Sequence, residues 1–268
     1  MQSLPYAQPG LHPCSYAGTF LVNDTADHNL FYWYFKHEDP TAPLLLWLNG
    51  GPGSSSLFGL FVENGPLRVT MGGGGDQDFL LSPAEKAWTD SYNVIWLDQP
   101  VGVGFSYGTP NVDDITMQVG ADEFWNFMQA FYVKYPEMKT VDFHMTGESY
   151  AGKYIPLLSY TVLTNNKQSP VFEVPLKTSL IIDPFTVPVL QRTSMHLVGQ
   201  ALNILDSGNL DQIATLEQHC LAAPNGNLSA GVDTCNAIMD YIEIVSGNVM
   251  PYNSRIFEYD FDPIEAPE

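Results

Sequence analysis

Ser149 stands in Gly147-Glu148-Ser149-Tyr150-Ala151-Gly152, after the apolar run "VDFHM" and before the helix-like segment "AGKYIPLLSYTVL". A strand that turns sharply into a helix lifts a serine hydroxyl above the sheet, where it can act as a nucleophile. The flanking residues are small, as a tight turn requires, although the last position of the G-x-S-x-G pattern is Ala151 instead of glycine. A second stretch, Asn49-Gly50-Gly51-Pro52-Gly53-Ser54-Ser55-Ser56, directly follows the apolar run "PLLLWL". Its glycines present backbone N–H groups at the carboxyl edge of a sheet, where an oxyanion hole belongs. Gly51 and Tyr150, the residue after the serine, are the natural pair of amide donors. Together these residues point to acyl transfer through a covalent intermediate on Ser149.

Those two loops need a sheet to hold them. "GTFLV" and "HNLFYWYFKHE" are aromatic and β-branched runs between turn residues, which predicts an antiparallel entry. "PLLLWLNGG" and "NVIWLDQP" are short apolar runs ending in Gly or Pro, the pattern of strands buried on both faces. Between Asp114 and Lys139, apolar residues from Ile115 to Tyr132 recur three or four apart, which predicts a helix with one buried face. "VDFHMTG" is the next strand, "AGKYIPLLSYTVL" the next helix with a kink expected at Pro156, and "LKTSLIID" a further strand. Strands alternating with helices imply parallel pairing under right-handed crossovers, so the expected core is α/β. Past about Pro184 only helical pieces follow, such as "RTSMHLVGQALNIL" and "NLDQIATLEQHCL", which predicts a core over residues 1–184 and a helical cap over 185–268. "GGGG" at Gly72–Gly75 reads as a flexible loop tip.

The charge balance narrows the partners. Thirty acidic against ten basic side chains give a formal net charge of −20, which repels nucleic-acid phosphates and anionic membrane surfaces. The same excess suits a protein working at acid pH, where carboxylates are protonated, and suits simple solubility equally well. No apolar run reaches the roughly 18 to 20 residues that span a bilayer. Acceptor sequons begin at Asn23 and Asn227, and they agree with an exported protein, secreted or vacuolar/lysosomal. Cys220 and Cys235, in a stretch that contains "APNGN" and reads as loop-rich, can close a local disulfide. That leaves Cys14 either for a partner on another chain or as a buried reduced thiol. No His or Cys pair stands at ligand spacing, so neither a metal nor another cofactor is expected.

Three long motifs, "LLLWLNGGPGSSSLFGLFVENGPLRV", "YNVIWLDQPVGVGFSYG" and "HMTGESYAGKYIPLL", in this order, resemble the serine carboxypeptidase family. The resemblance covers residues 15 to 190 and implies the α/β-hydrolase fold, with a mostly parallel sheet that is incomplete in this chain. It implies Ser149 as nucleophile and the Gly51 and Tyr150 amides as oxyanion hole. It also implies that Asn49, Gly50, Glu63 and Glu148 grip the terminal carboxylate of a peptide, with Trp47 in the same region. Glu63 and Glu148, if brought together, cannot easily both ionise, and the retained proton can be donated to a substrate carboxylate. Ser54 stands where the family commonly has a cysteine, and "IIDPF" where it usually reads "IGNG".

The acid and base of the triad are harder to find. In α/β-hydrolases they follow the serine in the order acid, then histidine. After Ser149 the histidines are His196 and His219, both in helix-like segments of the expected cap. Asp183 ends a strand but lies too close in sequence to His196 for another strand to intervene. His144, ahead of the serine on its own strand, reads as a core or supporting residue. The family's later "GDxDxxCN"-like and "GHMVP"-like segments are not in these residues. The expectation is therefore the N-terminal chain, or an N-terminal portion, of a carboxypeptidase whose Asp and His lie on a second polypeptide that could bond through Cys14. An acyltransferase or hydroxynitrile lyase on the same scaffold, or an inactive binding homologue, are the alternatives.

Overall fold

The computed structural model describes residues 14–71, 79–109, 115–168, 170–222, 228–250 and 252–256. The chain divides into two compact units, Met1–Phe185 and Thr186–Glu268.

The first unit is built on a six-stranded sheet. In chain order its strands are β1 (Ser15–Asn23), β2 (His28–Phe35), β3 (Leu44–Leu48), β6 (Asn93–Leu97), β7 (Phe143–Glu148) and β8 (Leu176–Ile182). They lie side by side as β1-β2-β6-β3-β7-β8. β1 and β2 pair antiparallel, β2 pairs antiparallel with β6, and β6, β3, β7 and β8 run parallel. Helix α1 (Met117–Lys134) connects β6 to β7, and α2 (Ala151–Asn165) connects β7 to β8. α1 begins where the Thr116 hydroxyl accepts from the Val119 amide and ends at Tyr135, the residue before Pro136, which disfavours helical backbone there. α2 runs on through Pro156.

Side chains alternate across the sheet with a period of two, and the alternation sorts the core. Leu44, Leu46 and Leu48 of β3 pack with Phe143 and Met145 of β7 and with the apolar faces of α1 and α2. Leu45 and Trp47 face the other side, with Val94, Trp96, Leu57 and Leu60. On that second side the chain also forms a hairpin, β4 (Leu67–Met71) against β5 (Phe79–Pro83), whose Leu67 and Leu81 join the same cluster. Residues Gly72–Gly75 lie outside the described residues.

The second unit contains α3 (Pro188–Arg192), α4 (Met195–Ala201), α5 (Ser207–Ala222) and α6 (Leu228–Val245). Its core gathers Leu205, Ile213, Ile238 and the disulfide between Cys220 and Cys235. The loop-rich reading of that stretch is corrected: Cys220 belongs to α5 and Cys235 to α6, so the bridge ties two helices. Both cysteines are buried in an apolar core, and in α5 the buried Ile213 and Cys220 stand seven apart, two helical turns, which puts Cys220 on the inward face of a helix. Cys14 is free and exposed, not a buried thiol. No helix of the described residues is long and apolar enough to cross a membrane.

Candidate active site

The carboxyl ends of β3 and β7 bring the two loops together. Leu48 is paired with Gly147 across the sheet, so Asn49 and Glu148, one residue further on each strand, are neighbours. Counting by twos from Trp47 and Thr146 puts both side chains on the face of the Trp47 cluster. The short π-helical segment Gly59–Glu63 lies on that face and delivers Glu63 from its last position.

Asn49 is the hub. Its amide nitrogen donates to Glu63 Oε1 at 3.0 Å and to Glu148 Oε1 at 2.9 Å. Its carbonyl oxygen accepts from Trp47 Nε1 at 2.9 Å and from the Gly59 amide at 2.9 Å. These bonds fix which way the buried amide points, since only this orientation satisfies all four partners. Burial pushes the Glu63 carboxyl up from its ordinary value to about 7, with the Asn49 bond pulling it down and the Glu148 charge and hydrogen bond pushing it further up. Such a carboxyl can keep a proton into neutral pH and offer it to an anion. Trp47 is almost wholly buried, so its contribution within the described residues is to hold Asn49, not to present a surface.

Ser149 sits exposed beside this cluster with φ of 55°, a left-handed backbone that a non-glycine residue adopts at a cost of about 1–2 kcal/mol. The turn is clamped from both sides. The Ser149 amide donates to Ile182 O at 3.0 Å, while Ser149 O accepts from the Gly152 and Phe185 amides at 2.9 and 2.8 Å. Gly50 abuts the turn so closely that a Cβ there would fall 2.5 Å from Tyr150 N and 2.8 Å from Ser149 Cβ. Gly51, at φ 110°, then turns the loop so tightly that a Cβ there would fall 2.8 Å from the Gly53 and Ser54 nitrogens. Among the described residues neither the Gly51 nor the Tyr150 amide donates a hydrogen bond within the protein.

No described histidine is hydrogen-bonded to the Ser149 hydroxyl. His144 Nδ1 is bonded to Thr178 Oγ1 at 2.6 Å, and burial holds its imidazole below the ordinary value. His196, within the second unit, bonds Glu217 through Nδ1, and Asp183 closes β8 with φ of 42°. Asn23, at the end of β1, accepts from the Thr25 hydroxyl at 2.8 Å, whereas Asn227 lies outside the described residues. Two supporting residues were not singled out in the sequence. Ser56 Oγ accepts from the Asn49 backbone N–H at 3.2 Å and donates to Leu97 O at 2.6 Å, and Gly59 supplies its N–H to the Asn49 side chain. Three serines in a row gave no sign of which hydroxyl would turn inward.

A family model described as serine carboxypeptidase matches residues 5–262. The chain belongs to the serine carboxypeptidase family. Among curated serine carboxypeptidases it is 38% identical over 210 residues to the rat protein named probable serine carboxypeptidase CPVL, covering 76% of this chain and 41% of that protein. It is 37% identical over 224 residues to carboxypeptidase Y homolog A of Arthroderma otae, covering 81% and 39%. The solved structure of Kex1(delta)p, a prohormone-processing carboxypeptidase from Saccharomyces cerevisiae, superposes with a TM-score of 0.75 at 27% identity, over 87% of this chain and 53% of that one. The chain thus spans about two-fifths of the length of these curated carboxypeptidases, and its sheet order and elbow are those of the α/β-hydrolase fold.

Proposed function

We propose that the protein is a serine carboxypeptidase that releases C-terminal amino acids from peptides at acid pH through an acyl-enzyme on Ser149. The observation that carries this reading is the Asn49 amide shared by two carboxyls beside a strained, exposed serine. A peptide's terminal carboxylate is recognised by Asn49, the Gly50 segment and the proton kept on Glu63, beside Glu148. That places the last peptide bond over Ser149, whose hydroxyl attacks the carbonyl. The Gly51 and Tyr150 amides receive the oxyanion, and loss of one such donor costs about 10²- to 10³-fold in turnover. The base and acid come from outside these residues, on a second polypeptide that Cys14 can bond. The disulfide and the sequon at Asn23 favour a secreted or vacuolar/lysosomal setting. The direct test is release of free amino acid from an N-blocked dipeptide between pH 4 and 8, with its C-terminally amidated analogue as control. Preference for the free acid that fades toward pH 8 supports the reading, and equal cleavage of both compounds refutes it.

A further inference from the structure

Asp98 follows β6 and is completely buried, yet no described lysine, arginine or histidine pairs with it. Its charge is held by donors alone. Oδ1 accepts from the Ser55 hydroxyl at 2.6 Å and from the Ser56 amide at 3.0 Å, and Oδ2 accepts from the Phe105 amide at 2.9 Å. Its backbone is pinned as well, the amide donating to Phe31 O at 3.0 Å and the carbonyl accepting from Ser106 Oγ at 2.6 Å. A buried carboxylate without a cation is expensive unless several donors converge on it, and here Ser55 and Ser56, 43 and 42 residues away, and Phe105, seven residues on, supply them. Burial pushes the Asp98 carboxyl up from its ordinary value, and the Ser55 hydroxyl with the Phe105, Ser56 and Leu57 amides pulls it back.

What those donors are attached to gives the residue its meaning. Ser55 and Ser56 lie between the glycine loop and the segment that ends in Glu63. Ser56 O accepts from the Leu60 amide at 3.3 Å, so the carboxylate grips the first turn of that segment. The Ser56 hydroxyl in turn accepts from the Asn49 backbone N–H. A single side chain thereby fixes both sides of the carboxylate-binding cluster, Asn49 through Ser56 and Glu63 through the turn.

We propose that Asp98 is a positioning residue for recognition of the substrate's terminal carboxylate, locking Ser55 and Ser56 so that Asn49 and Glu63 stay in register. This rests on the function proposed above. Asp98→Asn is the informative change: its single carbonyl oxygen can still serve Ser55 and Ser56, but its amide meets the Phe105 N–H donor to donor.

The test compares wild type, Asp98→Asn and Ser55→Ala by NMR titration at pH 5 with an N-benzoyl amino acid and with its carboxamide. The same samples give amide hydrogen exchange at Gly59, whose N–H reports the Asn49 contact, and at Phe127 and Phe131 in α1. The expected result is about a tenfold weaker affinity for the free acid in Asp98→Asn, unchanged affinity for the carboxamide, faster exchange at Gly59 and unaltered protection in α1. A smaller shift of the same pattern is expected in Ser55→Ala, which decides the matter should Asp98→Asn fail to fold. Equal affinity for the acid and unaltered Gly59 exchange in the variants overturn the proposal. If wild type itself shows no preference for the acid, the carboxylate-binding reading falls. Gly59 exchange alone then decides on Asp98: faster exchange upholds its grip on Asn49, and unchanged exchange overturns it.

Discussion

Replacing Glu63 by glutamine gives the sharpest separation between a proton donor and a mere polar neighbour. With the Glu63 carboxyl at about 7, nearly all of it carries a proton at pH 5, about 99%, and about 9% does at pH 8. If that proton binds the substrate carboxylate, affinity falls about tenfold across the interval, and more once two ionised carboxylates repel the ligand. The glutamine amide donates at every pH, so Glu63→Gln flattens the dependence to within about twofold. The assay is equilibrium binding of an N-acylated amino acid from pH 5 to pH 8. A variant that keeps the wild-type slope, or a wild type without one, refutes the reasoning. Stability carries a linked sign. A carboxyl raised in the folded state incurs no penalty while both states are protonated, begins to destabilise above the unfolded value near 4.5, and reaches its full penalty above about 7. Glu63→Gln should therefore match wild type in thermal stability at pH 4 and exceed it at pH 8.

Three further outcomes follow from named contacts. Gly50→Ala forces a methyl into the Ser149–Tyr150 backbone and should destabilise by about 1–3 kcal/mol in chemical denaturation, with loss of any serine-directed labelling. Ser149→Gly and Ser149→Ala both remove the hydroxyl, so their difference isolates the left-handed backbone, and the glycine variant should be more stable by about 1 kcal/mol. Replacing Cys220 and Cys235 by serine opens a loop with a sequence separation of 15 and should lower the stability of the α5–α6 unit by about 2–4 kcal/mol, read from its own unfolding transition.

The parallel centre of the sheet was legible because β3, β6 and β7 are short apolar runs closed by turn residues, which strands covered on both faces must be. The elbow was legible for the same reason: a strand, small residues and a helix stand in immediate succession. The β4–β5 hairpin escaped because its strands face a half-exposed surface and flank a glycine tract, so neither run is apolar enough to stand out. The cysteines were placed in a loop because the "APNGN" punctuation overshadowed the helical spacing on either side. Within the site, Ser149 and the glycine loop carry local signals, whereas the roles of Asn49, Glu63 and Glu148 rested on family resemblance. Their meeting is a tertiary fact, set by the Leu48–Gly147 register, and no spacing along the chain encodes it. Ser56 and Asp98 are silent in sequence for that reason, since their chemistry consists of partners 42 or 43 residues away.

The proposed nucleophile is Ser149, completed by an imidazole from beyond these residues. It is tested most directly by treating the protein as isolated from its natural source with a fluorophosphonate, then mapping the adduct by mass spectrometry. The expected result is one phosphonylated residue, Ser149, together with loss of amino-acid release. An unmodified Ser149 in material that still releases C-terminal amino acids would contradict it.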